Sequence, residues 1–254
     1  MKTPPLPLSL AFKALAALAC MAVAPHAAAQ DPSWQDLYDG LLKKYVTDSG
    51  VKYKAWHADA ADRKSLGGVV WAIGRESLAG KSRDEKLAFY LNAYNAWILH
   101  EILSDYPTGG PGGGGFFGRN KFFKSREIKV AGKATTFHDL ENEIIRPAFH
   151  EPRIHFALNC ASASCPPLRA AAFRADTLDA TLDQLTRAFV SENASGVAVE
   201  GGDAEVSKIF DWYEDDFEGA GGVRAFINKY RRSPLPADAD IDFQDYDWSL
   251  NAAK

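Results

Sequence analysis

The chain has 254 residues, 46% hydrophobic and 24% charged, with 29 basic residues against 33 acidic ones and a net charge of −4. That balance argues against a nucleic-acid binder, whose affinity rests on clustered cations meeting phosphates. The length suffices to bury a core without a dense disulfide framework; no repeat of fixed period and no Pro- or Ser-rich linker divides it, so one domain is expected.

The first 29 residues follow the order of a secretory signal. Lys2 and Lys13 precede an apolar run from Ala14 to Ala24, after which come Pro25 and the triplet Ala27-Ala28-Ala29, and cleavage is expected after Ala29. The run is eleven residues long, against the roughly 20 that a spanning helix needs, so the mature chain is expected to have no transmembrane segment. Lipidation at Cys20 is disfavoured, because Leu18 stands one place off the usual pattern. The expected domain, 30–254, carries 27 basic and 33 acidic residues for a net charge of −6, with Cys160 and Cys165 as its cysteines. It is expected to be exported, periplasmic or secreted, where thiols tend either to pair or to be kept for a purpose.

Trp34, Leu37, Tyr38, Leu41, Leu42 and Tyr45 recur at spacings of three and four, predicting an amphipathic helix with Asp31 or Ser33 as its cap. VKYKAWHADA from Val51 alternates briefly and then turns helical, and His57 within it reads as a surface or satisfied histidine. A second helix is expected from Gly68 to Ala79. Ser82-Arg83-Asp84-Glu85 is a capping box. It opens the longest helix, Lys86 to Tyr106, which is apolar on nearly every side and therefore central and buried. Asn92 and Asn95 sit inside that pattern. A buried carboxamide left unpaired costs about 1 to 3 kcal/mol, so each must bond neighbouring backbone or line a site.

TGGPGGGGFFGRNKFF, from Thr108 to Phe123, is a glycine-rich loop or flap with aromatic and basic residues at its far end. It lacks the P-loop spacing and a preceding strand, and no cofactor is expected. Ile128 to Val130 and Ala134 to Phe137 predict a hairpin. A helix follows from His138 to Ile145, stopped near Pro147, with Leu140, Ile144 and Ile145 inward and Glu141 and Glu143 exposed on simple periodicity. RIHFALN, from Arg153 to Asn159, reads as a strand with Ile154, Phe156 and Leu158 on one face and His155, Ala157 and Asn159 on the other. Leu178, Leu182, Leu185, Ala188 and Phe189 mark another amphipathic helix. GVAVE and AEVSKIF predict two short strands about Gly201-Gly202; DWYEDDF, a helix from Val223 to Arg231, and the closing DYDWSLN follow. The acidic run Asp238, Asp240, Asp242, Asp245 and Asp247 lacks the Gly and the Glu of an EF-hand and reads as a solvated loop.

The chemistry concentrates in RIHFALNCASASCPPL, Arg153 to Leu168, which holds a histidine and both of these cysteines within eleven positions. A thiol becomes a useful nucleophile when its pKa falls beside an imidazole or a helix N-terminus. Cys165 precedes Pro166, and proline is favoured at the first helical position, so Cys165 is expected to cap a short helix whose amides favour the thiolate. Strand alternation puts Cys160 on the face opposite His155. Cys165 is therefore the favoured nucleophile, with Cys160 as a resolving thiol, a disulfide partner or a buried apolar residue. His155 is the expected base, oriented by Asn159 or a carbonyl. A structural Cys160–Cys165 disulfide stays open on this reading. Metal is not expected, since His155, Cys160 and Cys165 fall short of the four ligands of structural zinc.

HFALNCASASCPPL, together with FYLNAYNAWILHEIL, FHDLENEIIRP, KIFDWYEDDF and DYDWSLN, resembles the DUF547 family of domains of unknown function, from about Leu87 to Asn251. The resemblance implies that Cys160, Cys165, His155, Asn92, Asn95, Glu141 and Trp248 belong to a shared pattern, and it implies no activity. The glycine-rich insertion after Thr108 departs from that pattern.

The order of elements predicts an α+β domain, with helices packed on a mostly antiparallel sheet about one buried central helix. This layout is compatible with papain-like or transglutaminase-like thiol enzymes by analogy alone. Two functions are expected to compete. One is a thiol-dependent hydrolase or acyltransferase using Cys165 or Cys160 with His155, while Asn92, Asn95, Asn159, Glu141 and Trp248 orient the base or line the cleft. The other is a non-enzymatic envelope binding module with a Cys160–Cys165 bridge, recognising a partner or glycan through Phe116, Phe117, Trp212 and Trp248. A redox protein cycling the same pair is a third. The partner in any case is an unidentified small molecule, peptide or envelope component.

Overall fold

A computed structural model describes residues 1–2, 33–111, 113, 115–192, 195–200 and 202–254. The expected signal segment with Cys20, the cap Asp31, and Gly201 lie outside the described residues. Pro32–Lys254 forms one compact unit, distinct from Met1–Asp31.

Helix α1 (Trp34–Tyr45) is capped by Ser33, whose hydroxyl accepts the Asp36 amide at 3.2 Å. A two-residue hairpin, β1 (Val46–Thr47) with β2 (Gly50–Val51), leads to α2 (Tyr53–Ala58) and α3 (Ala60–Ile73). The second helix thus starts eight residues earlier than the apolar pattern from Gly68 predicts, because Asp59 accepts the Asp62 amide and caps it. Helix α4 (Arg83–Asp105) opens on the predicted capping box, with Ser82 and Glu85 each accepting the other's amide. It runs through the middle of the larger apolar core, with Leu87, Leu91, Ile98, Leu99 and Ile102 all buried.

Helix α5 (Gly115–Asn120) continues as a π-helical turn, Lys121–Ser125, into the hairpin of β3 (Ile128–Val130) and β4 (Lys133–Thr135). Next, α6 (Phe137–Asp139), a π-helical segment (Leu140–Ile145) and α7 (Arg146–Phe149) form one rod. It passes Pro147 because proline is tolerated within the first turn of a helix. The extra residue in each π turn rotates the inner face, so Glu141, expected on the surface, is only 8% exposed.

The predicted strand Arg153 to Asn159 is instead a 3-10 turn, Pro152–Phe156, and this corrects the reading of the cysteine stretch. Pro152 starts the turn, and the Glu151 carboxylate accepts the Arg153 amide at 3.2 Å. Ile154, His155 and Phe156 are buried in succession, which a half-buried strand cannot do. No helix begins after Cys165 either; the chain to Leu168 is irregular.

Helix α8 (Leu178–Glu192) is followed by β5 (Val197–Glu200) and β6 (Asp203–Val206), antiparallel, then α9 (Ile209–Trp212), α10 (Glu214–Phe217) and α11 (Val223–Tyr230). Strand β7 (Ile241–Phe243), inside the acidic run, pairs parallel with β6. A second core gathers Phe156, Phe189, Phe210, Phe217 and Phe226. The fold is α+β, with the helices accompanied by three small sheets whose ladders are antiparallel except for β6 with β7.

Candidate functional site

Two buried asparagines, Asn95 and Asn159, hold the backbone that carries the cysteines, and a third, Asn92, holds the chain beyond it. Asn95, on α4, donates from Nδ2 to the Ala157 carbonyl at 2.9 Å and accepts the Asn159 amide at 2.8 Å. Asn92, one turn earlier, makes the same two-point bond to Phe173, at 2.9 and 2.8 Å. Asn159 donates to the Pro166 carbonyl at 2.7 Å and accepts the Ala161 amide at 2.9 Å, which supports Ala161 at its positive φ of 64°. These carboxamides bond backbone, the more economical of the two expected roles, and each satisfies two buried groups at once.

The C-terminal segment clamps the same loop from the other side. Ala163 donates to the Ser249 carbonyl at 2.8 Å, Asn251 to that of Ala161 at 3.1 Å, and Ser162 bridges to Leu250. The segment lies so close to Gly50 and Gly110 that a Cβ there would sit 2.5 Å from the Asn251 carbonyl and 2.8 Å from that of Trp248. Both glycines also have positive φ, of 124° and 115°.

Between clamp and rod opens a cavity of about 200 Å³ lined by Cys160, Cys165, His155, Glu141, Tyr213, Tyr246, Trp212 and Trp248, among others. His155 and Cys160 therefore share one site, contrary to the expectation from strand alternation. Both thiols are free, so the disulfide left open by the sequence is not formed.

The two cysteines are inequivalent. The Cys165 sulfur accepts the Cys160 amide at 2.9 Å. Around the Cys160 sulfur stand the hydroxyls of Ser162, at 2.9 Å, and Tyr246, at 3.3 Å, themselves 3.1 Å apart. Burial pushes the Cys160 thiol up, but hydrogen bonds from Cys165, Ser162 and Tyr246 outweigh it and bring the thiol down to about 7. Cys165 moves the other way, well above the ordinary thiol value, through burial and through donating to its neighbour. The favoured thiolate is thus Cys160, which corrects the preference for Cys165. The helix amides expected to activate Cys165 are absent, and hydrogen bonds at Cys160 take their place.

His155 is held by groups that the sequence reading passed over. Its Nε2 lies 2.6 Å from Asp216, and its ring stacks on Tyr213 at 3.9 Å. Asp216 also accepts two bonds from Arg146, at 2.7 and 2.9 Å. Burial would raise the Asp216 carboxyl, yet the bonds from His155 and Arg146 hold it well below the usual carboxylate range. An ionised Asp216 accepts a hydrogen bond from Nε2–H, which leaves Nδ1 as the ring nitrogen turned away from it. Nδ1 faces the Glu141 carboxylate at 3.9 Å. Burial and that carboxylate raise the Tyr213 phenol. Asp216 therefore fills the orienting role expected of Asn159.

Trp212, Tyr246 and Trp248 form the outer aromatic wall, with ring centres 4.7 to 5.6 Å apart. Phe116 and Phe117, grouped with these tryptophans in the sequence reading, are not cavity residues; they are exposed on α5. Asp216, Tyr213 and Tyr246 have a signal in the sequence, since they lie in the blocks KIFDWYEDDF and DYDWSLN, which also hold the recognition candidates Trp212 and Trp248. Among the described residues no group of three or more His, Cys, Asp or Glu is placed to hold a metal ion. None of the described helices is long and apolar enough to cross a membrane.

Residues 78–190 match a family model described as "Protein of unknown function, DUF547". The matched stretch contains Asn92, Asn95, Glu141, His155, Asn159, Cys160 and Cys165, and it ends before Trp212, Asp216, Tyr246 and Trp248. No curated protein and no solved structure matches the chain.

Proposed function

We propose that the protein is an exported thiol-dependent acyl-transfer enzyme, a hydrolase or acyltransferase, with Cys160 as its nucleophile. The observation that carries this reading is the placing of the Cys160 sulfur beside two hydroxyls, Ser162 at 2.9 Å and Tyr246 at 3.3 Å, in a cavity shared with an oriented histidine. A thiolate at neutral pH needs no separate base to attack. It adds to the carbonyl carbon of a thioester or activated ester, the S–C bond forming as the bond to the leaving thiolate or alkoxide breaks, and the leaving group takes up its proton from water. Water or a second acceptor then releases the acyl group, giving its proton to Nδ1 of His155, which Asp216 orients from the far side of the ring. Export is supported by the order of charged, apolar and small residues before Gln30.

The test is acyl trapping, with intact-mass readout after exposure to activated esters and thioesters. A single acyl adduct is expected in the wild type and in Cys165→Ala, and none in Cys160→Ala. An adduct that survives loss of Cys160, or none on any ester in a folded protein, sinks the reading. Export is checked by the mass of the chain from the exported fraction, expected to begin at Gln30.

A further inference from the structure

On the rim of the cavity, α5 presents two adjacent phenylalanines to solvent, Phe116 at 65% and Phe117 at 84% exposure. Elsewhere among the described residues such exposure of a large apolar side chain, terminal Met1 aside, occurs only at Trp71, which Arg75 covers at 4.9 Å. The two phenylalanine rings touch each other edge to face at 5.8 Å. They are held in place from behind. Arg119, on the same helix, lies over the Trp248 ring at 4.8 Å, and Phe122 stacks on Phe137 at 5.5 Å. The tip is therefore a pair of exposed apolar rings on a helix whose base is packed against the domain.

Its charge differs from that of the rest of the chain. The stretch 115–125 reads GFFGRNKFFKS, carrying Arg119, Lys121 and Lys124 and no acidic residue, in a chain of net charge −4. Lys121 and Lys124 are exposed. Arg126, just beyond, is neutralised by Glu101 and Asp105 at 2.8 and 2.7 Å and adds nothing to the patch. Exposed aromatic side chains ringed by unneutralised cations match the boundary between acyl chains and anionic headgroups, where apolar area enters the acyl region and each cation adds attraction.

We infer that α5 and the turn after it form a docking tip for an anionic lipid surface. Phe116 and Phe117 insert, Lys121 and Lys124 meet headgroup phosphates, and the mouth of the cavity, marked by Phe123 and Trp248, is set at the interface. This inference stands independently of the thiol chemistry.

The test is hydrogen exchange of the full chain, combined with sedimentation, with vesicles of phosphatidylcholine alone or of equal parts phosphatidylcholine and phosphatidylglycerol. Slowed exchange over 115–125 is expected with the anionic vesicles and not with the neutral ones. Each cation contributes about fivefold in partitioning, the equivalent of about 1 kcal/mol, so Lys121→Ala/Lys124→Ala should weaken binding roughly 25-fold. Phe116→Ala/Phe117→Ala should abolish the local protection, and unchanged near-ultraviolet circular dichroism checks its fold. Vesicle binding without protection at 115–125 means that the N-terminal apolar run holds the lipid, and overturns the inference. Protection by polyglutamate but by neither vesicle overturns it too, in favour of an acidic protein partner.

Discussion

The cavity has two walls built by different means. The inner wall consists of α4, the rod from Phe137 to Phe149 and the cysteine loop, and buried carboxamides, each bonding two backbone groups, fix α4 to the start of that loop and to Phe173 beyond it. The outer wall, from Trp212 to Phe217 and from Tyr246 to Trp248, relies on ring contacts, a few hydroxyl bonds and the Asp216 carboxylate. The inner wall sets where the sulfurs lie and, through Cys165 and Ser162, supplies most of what lowers Cys160; the outer wall adds the Tyr246 hydroxyl and, through Asp216, turns the histidine. The backbone anchors and the group that turns the histidine thus come from different stretches of the chain, so substitutions should separate them.

The largest effect is expected at the inner wall. Asn95→Ala leaves the Ala157 carbonyl and the Asn159 amide without partners, and at about 1 to 3 kcal/mol for each buried unsatisfied group the loss of stability should reach about 3 kcal/mol. Chemical denaturation measures it. A loss below about 1 kcal/mol would mean that water replaces the carboxamide and that the wall is not fixed as described.

On the outer wall, Asp216→Asn should cost less stability than Asn95→Ala but change the pH response. Asp216 has a depressed folded pKa, so its contribution is fully present above the unfolded value of about 3.9 and is lost as the pH falls below it. The wild type should therefore lose stability more steeply below pH about 4 than Asp216→Asn does. Equal acid slopes would show that the carboxylate is not paired with His155 and Arg146 in solution.

The same division marks what the sequence made legible. The capping box at Ser82, the buried run of α4 and the need of Asn92 and Asn95 for partners all follow from local rules of periodicity and hydrogen bonding. The cysteine loop does not. RIHFALN alternates like a strand, but Pro152 and the Glu151 cap turn it into 3-10 geometry, and one wrong period moved Cys160 to the wrong face. Glu141 was misplaced for a similar reason, since a π segment has no signature in a 3.6-residue repeat. Asp216 and Tyr246 are 61 and 86 residues from the groups they touch, and no local pattern links such partners. Their motifs were visible as blocks, while their roles depended on the chain folding back.

A smaller effect is expected at Tyr246→Phe, which removes one of the hydroxyl donors from the Cys160 sulfur and should leave stability nearly unchanged. The midpoint of Cys160 alkylation, expected at about pH 7 in the wild type, should rise by about one unit, since a hydrogen bond to a charged group contributes about 1.5 to 3 kcal/mol and Ser162 retains part of it. Reaction with iodoacetamide across pH, read peptide by peptide, gives the midpoint. No shift would assign the lowered value to Ser162 and Cys165 alone.

Trp212→Ala is the smallest and tests whether the outer wall bears any structural load. Its ring touches Tyr246 at 4.7 Å and Trp248 at 5.6 Å, but the residue is 42% exposed. Aromatic pairs contribute about 0.5 to 1.5 kcal/mol beyond burial. Exposure limits the burial part, and the neighbouring rings remain in contact with each other, so the loss in thermal unfolding should stay near 1 kcal/mol. The Cys160 midpoint should not move, because Trp212 gives the sulfur no proton. If this substitution instead destabilised the protein as much as Asn95→Ala, both walls would carry the fold, and the aromatic side could not be varied to suit different substrates without unfolding the site.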